Sequence, residues 1–260
     1  MGSVARASTD RSVQSVERAF EVLEVMAGSD GGLSLTEISV ATGRPAPSIH
    51  RLVRTLTLLG YVRQEASRRY ALAPGLIRLG NGAAKQFGTW AVPMLVELVD
   101  SIGESANMAI LEGSGALYVA HVAGRHSMRM FTEVGRRVPL HSTGVGKALL
   151  AQLPDDEVER LLKSAGMPAI TDHTITDPAG LLQELGAARV RGHAIDDGEQ
   201  EIGVSCVAVP VPGAATPTAI SFSAPAPRMT PDVARRAAAA LQAAAQTMAE
   251  RFTAERPPAG

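Results

Sequence analysis

The stretch LSLTEISVATGRPAPSIHRLVRTLTLLGYV, residues 33–62, decides the fold of the N-terminal part of this 260-residue chain. Ser34 and Glu37 have the spacing of a capping box, which predicts that a short helix begins there. A tight turn at residues 42–45 ends this helix, and Pro47 suits the first turn of the next one. Two short helices joined by a turn that contains glycine predict a helix-turn-helix.

The second helix of this pair has an apolar side and a polar side. Apolar residues at helical spacing are expected to face inward, namely Ile49, Leu52, Val53, Leu56 and Leu59. The outer face is left with Ser48, His50, Arg51, Arg54 and Thr55. Hydroxyl, imidazole and guanidinium groups can donate hydrogen bonds to base edges and phosphates, so this face predicts contact with DNA.

The flanking sequence completes a winged helix-turn-helix. Ser12 precedes an amphipathic run whose helical stripe consists of Val13, Val16, Phe20, Leu23 and Ala27. Residues 61–64 and 69–72 predict the two strands of a hairpin, the wing. Its three arginines are expected to meet phosphate or the minor groove: Arg63, Arg68 and Arg69.

The charge balance of this region supports DNA binding. The whole chain is nearly neutral, with 25 Lys and Arg against 26 Asp and Glu, but residues 40–70 contain one acid, Glu65, and six arginines: Arg44, Arg51, Arg54, Arg63, Arg68 and Arg69. A compact basic patch is the electrostatic footprint of a nucleic-acid site. The alternatives are a solvated basic face and a small helical subdomain for protein contacts.

Composition excludes several classes of protein. No apolar run approaches the roughly 18 residues of a membrane span, and the first 12 residues are too polar for a secretory signal. A single cysteine, Cys206, excludes a disulfide framework and a cysteine-based zinc cluster. We therefore expect a cytoplasmic protein with no membrane contact.

The rest of the chain predicts a linker helix over residues 74–89 and an α+β domain over residues 90–254, after a winged domain over residues 12–73. The predicted strands cover residues 107–111, 117–122, 127–132, 205–211 and 218–223. Predicted helices cover residues 155–164, 178–191 and 231–252, and another runs from about residue 90 to Gly103. Helices flanking an antiparallel sheet give the α+β class.

A glycine-containing segment, HSTGVGKA at residues 141–148, is a candidate anion site. It fails the phosphate-loop template because the position five residues before Gly146 is His141, and Ala148 follows Lys147. Free backbone N–H groups where this loop opens a helix would attract a small carboxylate. The alternative is an ordinary glycine-rich turn. Polar residues on otherwise apolar segments could complete a pocket: Asp196, Cys206, Ser221 and Ser223.

Catalysis and metal binding lack support. A nucleophilic Cys206 or Ser205 would need a positioned base, and residues 203–207 lack the second glycine of a nucleophile elbow. The six histidines contain no i, i+4 metal pair. We expect no enzyme activity, no cofactor and no metal.

Taken together, these residues resemble the IclR family of bacterial transcriptional regulators. The similarity runs from about residue 12 to residue 252 and includes SVERAFEVLEVMAG at 15–28, RRYALAPGLIRLG at 68–80, GRRVPLHSTGVGKALLA at 135–151, RGHAIDDGEQEIGVSCVAVPVP at 191–212 and AISFSAPAPRMT at 219–230. The resemblance implies a GAF/PAS-like effector domain, operator DNA as partner, and a homodimer joined through the DNA-binding domains or a homotetramer.

The resemblance also implies which residues bind the effector, a small organic acid. These are Ser127, Met130, Val138, Gly144, Val145, Asp196, Cys206, Ser221 and Ser223. Three positions depart from the family pattern: Ala46 replaces a common lysine, Ala224 a common glycine, and Ser127 a position that is apolar in glyoxylate-sensing relatives.

Within the family, the chain is most similar to regulators of allantoin and purine-ureide catabolism. This implies a repressor that glyoxylate, allantoate or an allantoin-related compound releases from DNA. The sequence leaves three alternatives open: an activator of the same architecture, a small-molecule enzyme with an accessory helical domain, and a protein-interaction adaptor.

Overall fold

The structure, a computed structural model, describes residues 13–130 and 132–254. The chain divides into two compact units, residues 1–83 and 84–260. The predicted start of the first helix at Ser12 lies outside the described residues.

The first unit is a winged helix-turn-helix, as the sequence predicts. Three helices, α1 (Gln14–Ala27), α2 (Leu35–Thr42) and α3 (Ala46–Leu58), precede the strands β1 (Val62–Gln64) and β2 (Tyr70–Leu72). The two strands pair antiparallel and form the wing. The small apolar core of this unit consists of Val22, Met26, Ile38, Ile49, Val53, Leu56 and Val62.

Local chemistry explains the geometry of the helix-turn-helix. The Glu37 backbone N–H donates to Ser34 Oγ at 3.2 Å and the Ser34 N–H donates to Glu37 Oε2 at 2.7 Å, so the capping box is complete. Hydrogen bonds from Ser34 and Arg69 lower the pKa of Glu37 to about 2. Gly43 ends α2 with φ of 63°, a left-handed conformation in which glycine is favoured.

Two predicted apolar stripes are partly wrong. On α1, Val22 and Met26 are buried, whereas Val16 and Phe20 are 52% and 61% exposed. On α3, the predicted inward residue Leu59 is 61% exposed. The spacing of apolar residues identifies the apolar face of a helix. It does not show whether other residues of the same unit cover that face.

Residues 75–102 form one 28-residue helix, α4 (Gly75–Ile102), so the predicted break near residue 90 is wrong. Pro93 removes one backbone donor without ending the helix, because the turns around it pack into the core of the second unit through Ala91, Leu95 and Leu98. Val92 and Val96, on the same helix, are 37% and 41% exposed.

The second unit is built on a six-stranded antiparallel sheet, which confirms the α+β class. Its strands are β3 (Ser105–Glu112), β4 (Gly115–Val122), β5 (Arg137–Val138), β6 (Ala194–Asp197), β7 (Val204–Val211) and β8 (Thr218–Pro225), in the order β5-β4-β3-β8-β7-β6. Its helices are α5 (Gly144–Leu150), α6 (Asp155–Ala165), α7 (Pro178–Arg191) and α8 (Pro231–Ala254), with a 3₁₀ turn at Ala226–Arg228.

Each face of this sheet is covered by its own helices. One apolar cluster combines α4 and α8 with side chains such as Val209 and Phe222. The other combines α5, α6 and α7 with small sheet residues such as Ala109, Ala208 and Ala219. Because those sheet residues are small, α5 approaches the sheet closely.

The predicted strand at residues 127–132 is wrong. Residues 127–130 form a loop, and Phe131 lies outside the described residues. The loop carbonyls are bound by side chains rather than by a neighbouring strand, since Ser105 Oγ donates to the Met130 carbonyl and Arg228 Nη2 to the Met128 carbonyl, each at 2.8 Å. Strand β4 pairs with β5 at that edge instead.

Candidate DNA-binding surface and ligand cavity

The outer face of α3 carries several basic and polar side chains, most of them exposed. His50, Arg51 and Arg54 are exposed and Ser48 is half-buried. Positions three and four apart share one side of a helix, so these four residues lie together. Neither Arg51 nor Arg54 has an acidic partner among the described residues. Unpaired guanidinium groups on a recognition helix are available to phosphates and base edges.

The wing presents two of its three predicted arginines to solvent. Arg63 is exposed and forms an ion pair with Glu65 at 3.0 Å. Arg68 is exposed at the hairpin turn, where its φ of 63° is unusual for a residue other than glycine. An exposed ion pair contributes little to stability, so a phosphate can compete for Arg63.

Two arginines predicted to bind DNA, both half-buried, form ion pairs with acidic residues of the same unit. Arg44 Nε lies 2.6 Å from Glu21 Oε2, which ties the turn to α1. Arg69 lies 2.8 Å from Glu37 and donates through Nε to the Gly32 carbonyl, which ties the wing to α2. The acidic partners are distant in sequence and fall outside residues 40–70, so a local charge balance could not reveal them.

A cavity of about 90 Å³ lies in the second unit between the sheet, α5 and the loop after β4. It is lined by Tyr118, Met130, Thr132, Arg136, Val138, Thr143, Gly144, Asp196, Gln200, Glu201, Val204, Cys206 and Ser223. Six predicted effector residues are among these: Met130, Val138, Gly144, Asp196, Cys206 and Ser223.

Three predicted effector residues do not line this cavity. Ser127 is exposed in the loop after β4. Val145 and Ser221 are each 1% exposed and lie behind the cavity wall. The resemblance implies a ligand role for Ser127, but the side chain lies in a loop and has no sheet face to occupy.

Gly144 at the start of α5 lines the cavity, and Val145 follows it in the same helical turn. Thr143 caps the helix by accepting a hydrogen bond from the Gly146 N–H at 3.1 Å. The N–H groups of Gly144 and Val145 have no acceptor among the described residues, as expected in a first helical turn. A Cβ at Gly144 would lie 3.2 Å from Cys206 Cβ, a tight contact, so a larger residue would push α5 and the sheet apart by a few tenths of an ångström.

The carboxyl group of Asp196 is buried beside these amides, with 2% of the residue exposed. Its Oδ1 accepts from the Glu199 N–H at 2.8 Å and, more weakly, from the Gln200 N–H. Burial disfavours the charged form and raises the pKa of Asp196 to about 6. Burial likewise raises the pKa of the Cys206 thiol to about 12, so this cysteine stays protonated and is not an activated nucleophile.

Behind the cavity lies an ion pair that the sequence analysis missed. Lys147 on α5 is 1% exposed, and its Nζ lies 2.5 Å from Glu199 Oε1. Burial raises the pKa of Glu199, and its Oε2 has no hydrogen-bond partner among the described residues. One feature of the sequence does point to this ion pair, namely a lysine inside an otherwise apolar helix. It was not used, because Lys147 was compared only with the lysine of a phosphate loop.

Several cavity residues come from loops and strand edges and were not predicted from the sequence, most notably Tyr118, Arg136 and Thr143. Arg136 brings an exposed guanidinium to the cavity, and it has no acidic partner among the described residues. A second cavity of about 620 Å³ lies between the β3–β4 hairpin and the end of α6. Val138 is the one predicted effector residue that lines it, so the polar cluster belongs to the smaller cavity.

Within residues 13–130 and 132–254, no three His, Cys, Asp or Glu side chains are grouped so that they could hold a metal ion. In the same part of the chain, none of the helices combines the length and the apolar character that crossing a bilayer requires.

A winged helix-turn-helix with a free basic face, joined in one chain to a domain with a small polar cavity, defines a ligand-responsive DNA-binding regulator. The chain belongs to the IclR family of transcriptional regulators: residues 15–66 match the IclR helix-turn-helix domain, and residues 86–250 match the C-terminal domain of the bacterial transcriptional regulator IclR. It is therefore a transcriptional regulator and not an enzyme.

Known relatives cover most of the chain. It is 35% identical over 241 residues to the transcriptional repressor IclR of Escherichia coli, covering 88% of this chain and 86% of that protein. It is 34% identical over 231 residues to the acetate operon repressor of Salmonella typhimurium, covering 85% and 83%. The crystal structure of an IclR-type regulator from Silicibacter sp. TM1040 has a TM-score of 0.81 and 30% identity, covering 94% and 98%.

Proposed function

We propose that this regulator is a repressor of a catabolic operon and that a small carboxylate, bound in the cavity of the second unit, releases it from DNA. The observation that carries the proposal is the presence in one chain of unpaired arginines on α3 and unpaired backbone N–H groups beside a polar cavity. The relatives at 35% and 34% identity that are repressors support the sign of regulation. We place this function in the cytoplasm.

DNA contact in this proposal comes from α3 and the wing. The residues are Ser48, His50, Arg51, Arg54, Arg63 and Arg68, while Arg44 and Arg69 hold the unit together. Two copies would insert their recognition helices into successive major grooves of a pseudo-palindromic operator, about 34 Å apart. A homodimer is therefore the smallest active assembly, and a homotetramer would join two such dimers.

An uncovered apolar face on the first unit supports this dimer. A groove of about 420 Å³ is lined by α1, α3 and the start of α4, with Val16, Phe20, Leu59 and Leu79 each more than half exposed. Contiguous exposed apolar groups on a soluble chain mark a partner surface. A second copy would bury Val16, Phe20 and Leu59, which belong to the predicted apolar stripes but are exposed in a single copy.

The ligand in this proposal is an acid with few heavy atoms. Its carboxylate would accept hydrogen bonds from the Gly144 and Val145 N–H groups, and Asp196, Cys206 and Ser223 would orient the remaining atoms. A volume of about 90 Å³ is that of about three molecules of liquid water. This volume favours glyoxylate over the larger allantoate and allantoin-related compounds.

Release from DNA requires that the ligand bind the DNA-incompetent arrangement more tightly. A ligand with equal affinity for both arrangements shifts nothing, and moving the equilibrium from 1:99 to 99:1 takes about 5.5 kcal/mol of differential binding. A domain that binds ligand and a domain that binds DNA can be coupled in this way without sharing any residue.

A gel-shift titration tests the proposal. A duplex selected by the full-length chain from a random-sequence library serves as operator, and glyoxylate, allantoin and allantoate are titrated at fixed salt. We expect one of them to release the duplex. Gly144→Ala is the control, since its Cβ would narrow the cavity beside Cys206 while leaving α3 unchanged. If no acid changes DNA binding, the ligand half of the proposal is wrong, and a footprint upstream of the polymerase site would favour an activator.

The double variant Arg51→Ala/Arg54→Ala should weaken operator binding about 10- to 100-fold. It should also reduce the slope of log K against log salt by about 4, since the homodimer loses two phosphate contacts in each copy and releases about four fewer counterions. Fluorescence anisotropy at several salt concentrations measures both quantities. Arg235→Ala/Arg236→Ala, two exposed arginines on α8, is the matched control and should leave the slope unchanged. An unchanged slope in the α3 variant would favour a protein-contact role for this helix.

A further inference from the structure

A line of hydrogen bonds crosses four strands of the sheet behind the ligand cavity. His121 on β4 contacts Asn107 on β3, with Nδ1 and Oδ1 2.8 Å apart. Asn107 Nδ2 donates to Ser221 Oγ at 3.4 Å and to Ser223 Oγ at 3.2 Å, both on β8. Cys206 Sγ on β7 donates to the same Ser223 Oγ at 3.1 Å. Asn107 is fully buried and does not line the cavity, so the proposed ligand never touches it.

The bonds of Asn107 leave a defined arrangement of protons at Ser223. A serine hydroxyl has two acceptor lone pairs and one O–H donor. The Asn107 amide and the Cys206 thiol fill the two acceptor positions, and the high pKa of the thiol keeps its proton in place. No acceptor for the Ser223 O–H exists among the described residues, and Ser223 lines the cavity. These contacts leave the Ser223 O–H to point into the cavity.

His121 keeps the Asn107 amide in this orientation. When Asn107 Oδ1 accepts from the His121 ring N–H, both protons of Nδ2 face β8. Burial lowers the pKa of His121, so the ring stays neutral, with one N–H donor rather than two. The orientation of a hydroxyl in the cavity is thus set by two residues of β3 and β4 that lie behind it.

We propose that Asn107 is a positioning residue for ligand selectivity: it fixes Ser223 as a hydrogen-bond donor, so that the cavity favours a ligand oxygen that only accepts, such as an oxo group, over one that must also place a proton. This inference rests on the proposed function, since it concerns the same cavity. It assigns to Asn107, which lies outside the cavity, control over whether Ser223 donates or accepts a hydrogen bond inside the cavity.

Asn107→Asp should reverse the hydrogen-bonding role of Ser223 toward the ligand, from donor to acceptor, without changing the shape of the side chain at position 107. Both oxygens of the introduced carboxylate accept, so Ser223 must donate its proton to that carboxylate and turn a lone pair toward the ligand. The added negative charge weakens binding of every acid, but it cancels in a ratio of two acids of equal charge. Two pairs differ only by oxo against hydroxyl, namely glyoxylate against glycolate and pyruvate against lactate.

The experiment measures the dissociation constants of both pairs by calorimetry for the full-length chain and for Asn107→Asp. We expect the ratio of the hydroxy-acid to the oxo-acid constant to fall about tenfold in the variant, the effect of one net hydrogen bond. His121→Phe is the second variant, for the case that Asn107→Asp does not fold. It leaves Asn107 free to rotate, so the ratio should move toward one. Ser101→Ala, a serine on α4 outside the network, is the control.

The outcomes separate the two proposals. If the unmodified chain binds acids in the cavity but neither variant changes the ratio, the role of Asn107 is disproved and the proposed function stands. If all four acids fail to bind, both proposals fall together. A lower affinity with an unchanged ratio would show that Asn107 only supports the sheet, which also overturns the inference.

Discussion

Replacement of Lys147 by methionine should lower the free energy of unfolding by about 3–5 kcal/mol. Lys147 is 1% exposed, and its partner Glu199 is 8% exposed. Without the ammonium group, the Glu199 carboxylate is left buried, with one oxygen that already lacks a hydrogen-bond partner among the described residues. Removing one member of a buried pair is costly because the other charge can no longer be compensated. Urea unfolding followed by circular dichroism at pH 7.5 measures the loss.

The double variant Lys147→Met/Glu199→Met is the matched control. It removes both charges and keeps similar side-chain length, so it should recover most of the loss. The loss in Lys147→Met should also shrink as the pH falls through the raised pKa of Glu199, since protonation removes the uncompensated charge. A single variant that loses less than about 1 kcal/mol would mean that water reaches Glu199 and that the pair is not a buried one.

The sequence predicted most of the fold because its strongest signals are local. The Ser34 and Glu37 capping box, the glycine turn at Gly43 and the predicted strands at residues 107–111 and 117–122 each depend on neighbours along the chain. Where the prediction failed, the deciding contact was distant. The loop at residues 127–130 is held by Ser105 and Arg228, and neither can be inferred from the loop sequence.

The candidate sites show the same limit. Polar residues on apolar strands, such as Asp196 and Ser223, pointed to the cavity because a strand face is set by period-2 alternation. The ion pairs of Arg44 and Arg69 could not be predicted, because their partners, Glu21 and Glu37, lie outside the segment over which the local charge is counted. The Lys147–Glu199 pair joins residues 52 positions apart, which no local pattern encodes.

Asp196→Asn should stabilise the chain at pH 7.5 by about 3 kcal/mol and have little effect near pH 4. Burial raises the pKa of this carboxyl from 3.8 to about 6, and each tenfold change in proton affinity corresponds to about 1.36 kcal/mol. The folded state holds the proton more tightly than the unfolded state, so this contribution is present below pH 3.8 and is lost as the pH rises to about 6. Asparagine still accepts from the Glu199 N–H without carrying a charge.

Urea unfolding at pH 4 and pH 7.5 gives both values, and Asp197→Asn, whose side chain is exposed, is the control. A variant that is less stable at pH 7.5 would show that the charged form is the one the fold requires.

The same substitution should change how acid binding depends on pH. A carboxylate ligand beside ionised Asp196 places two negative charges in one small cavity, so binding in the proposed site requires Asp196 to take up a proton. The dissociation constant for glyoxylate should then rise toward tenfold per pH unit above about 6, the pKa of Asp196. In Asp196→Asn the constant should stay flat between pH 6 and pH 8, because asparagine has no proton to gain. Calorimetry in two buffers of different ionisation enthalpy would count the proton directly. Uptake near one proton at pH 7.5 in the unmodified chain and none in the variant is expected, and equal uptake in both would place the ligand away from Asp196.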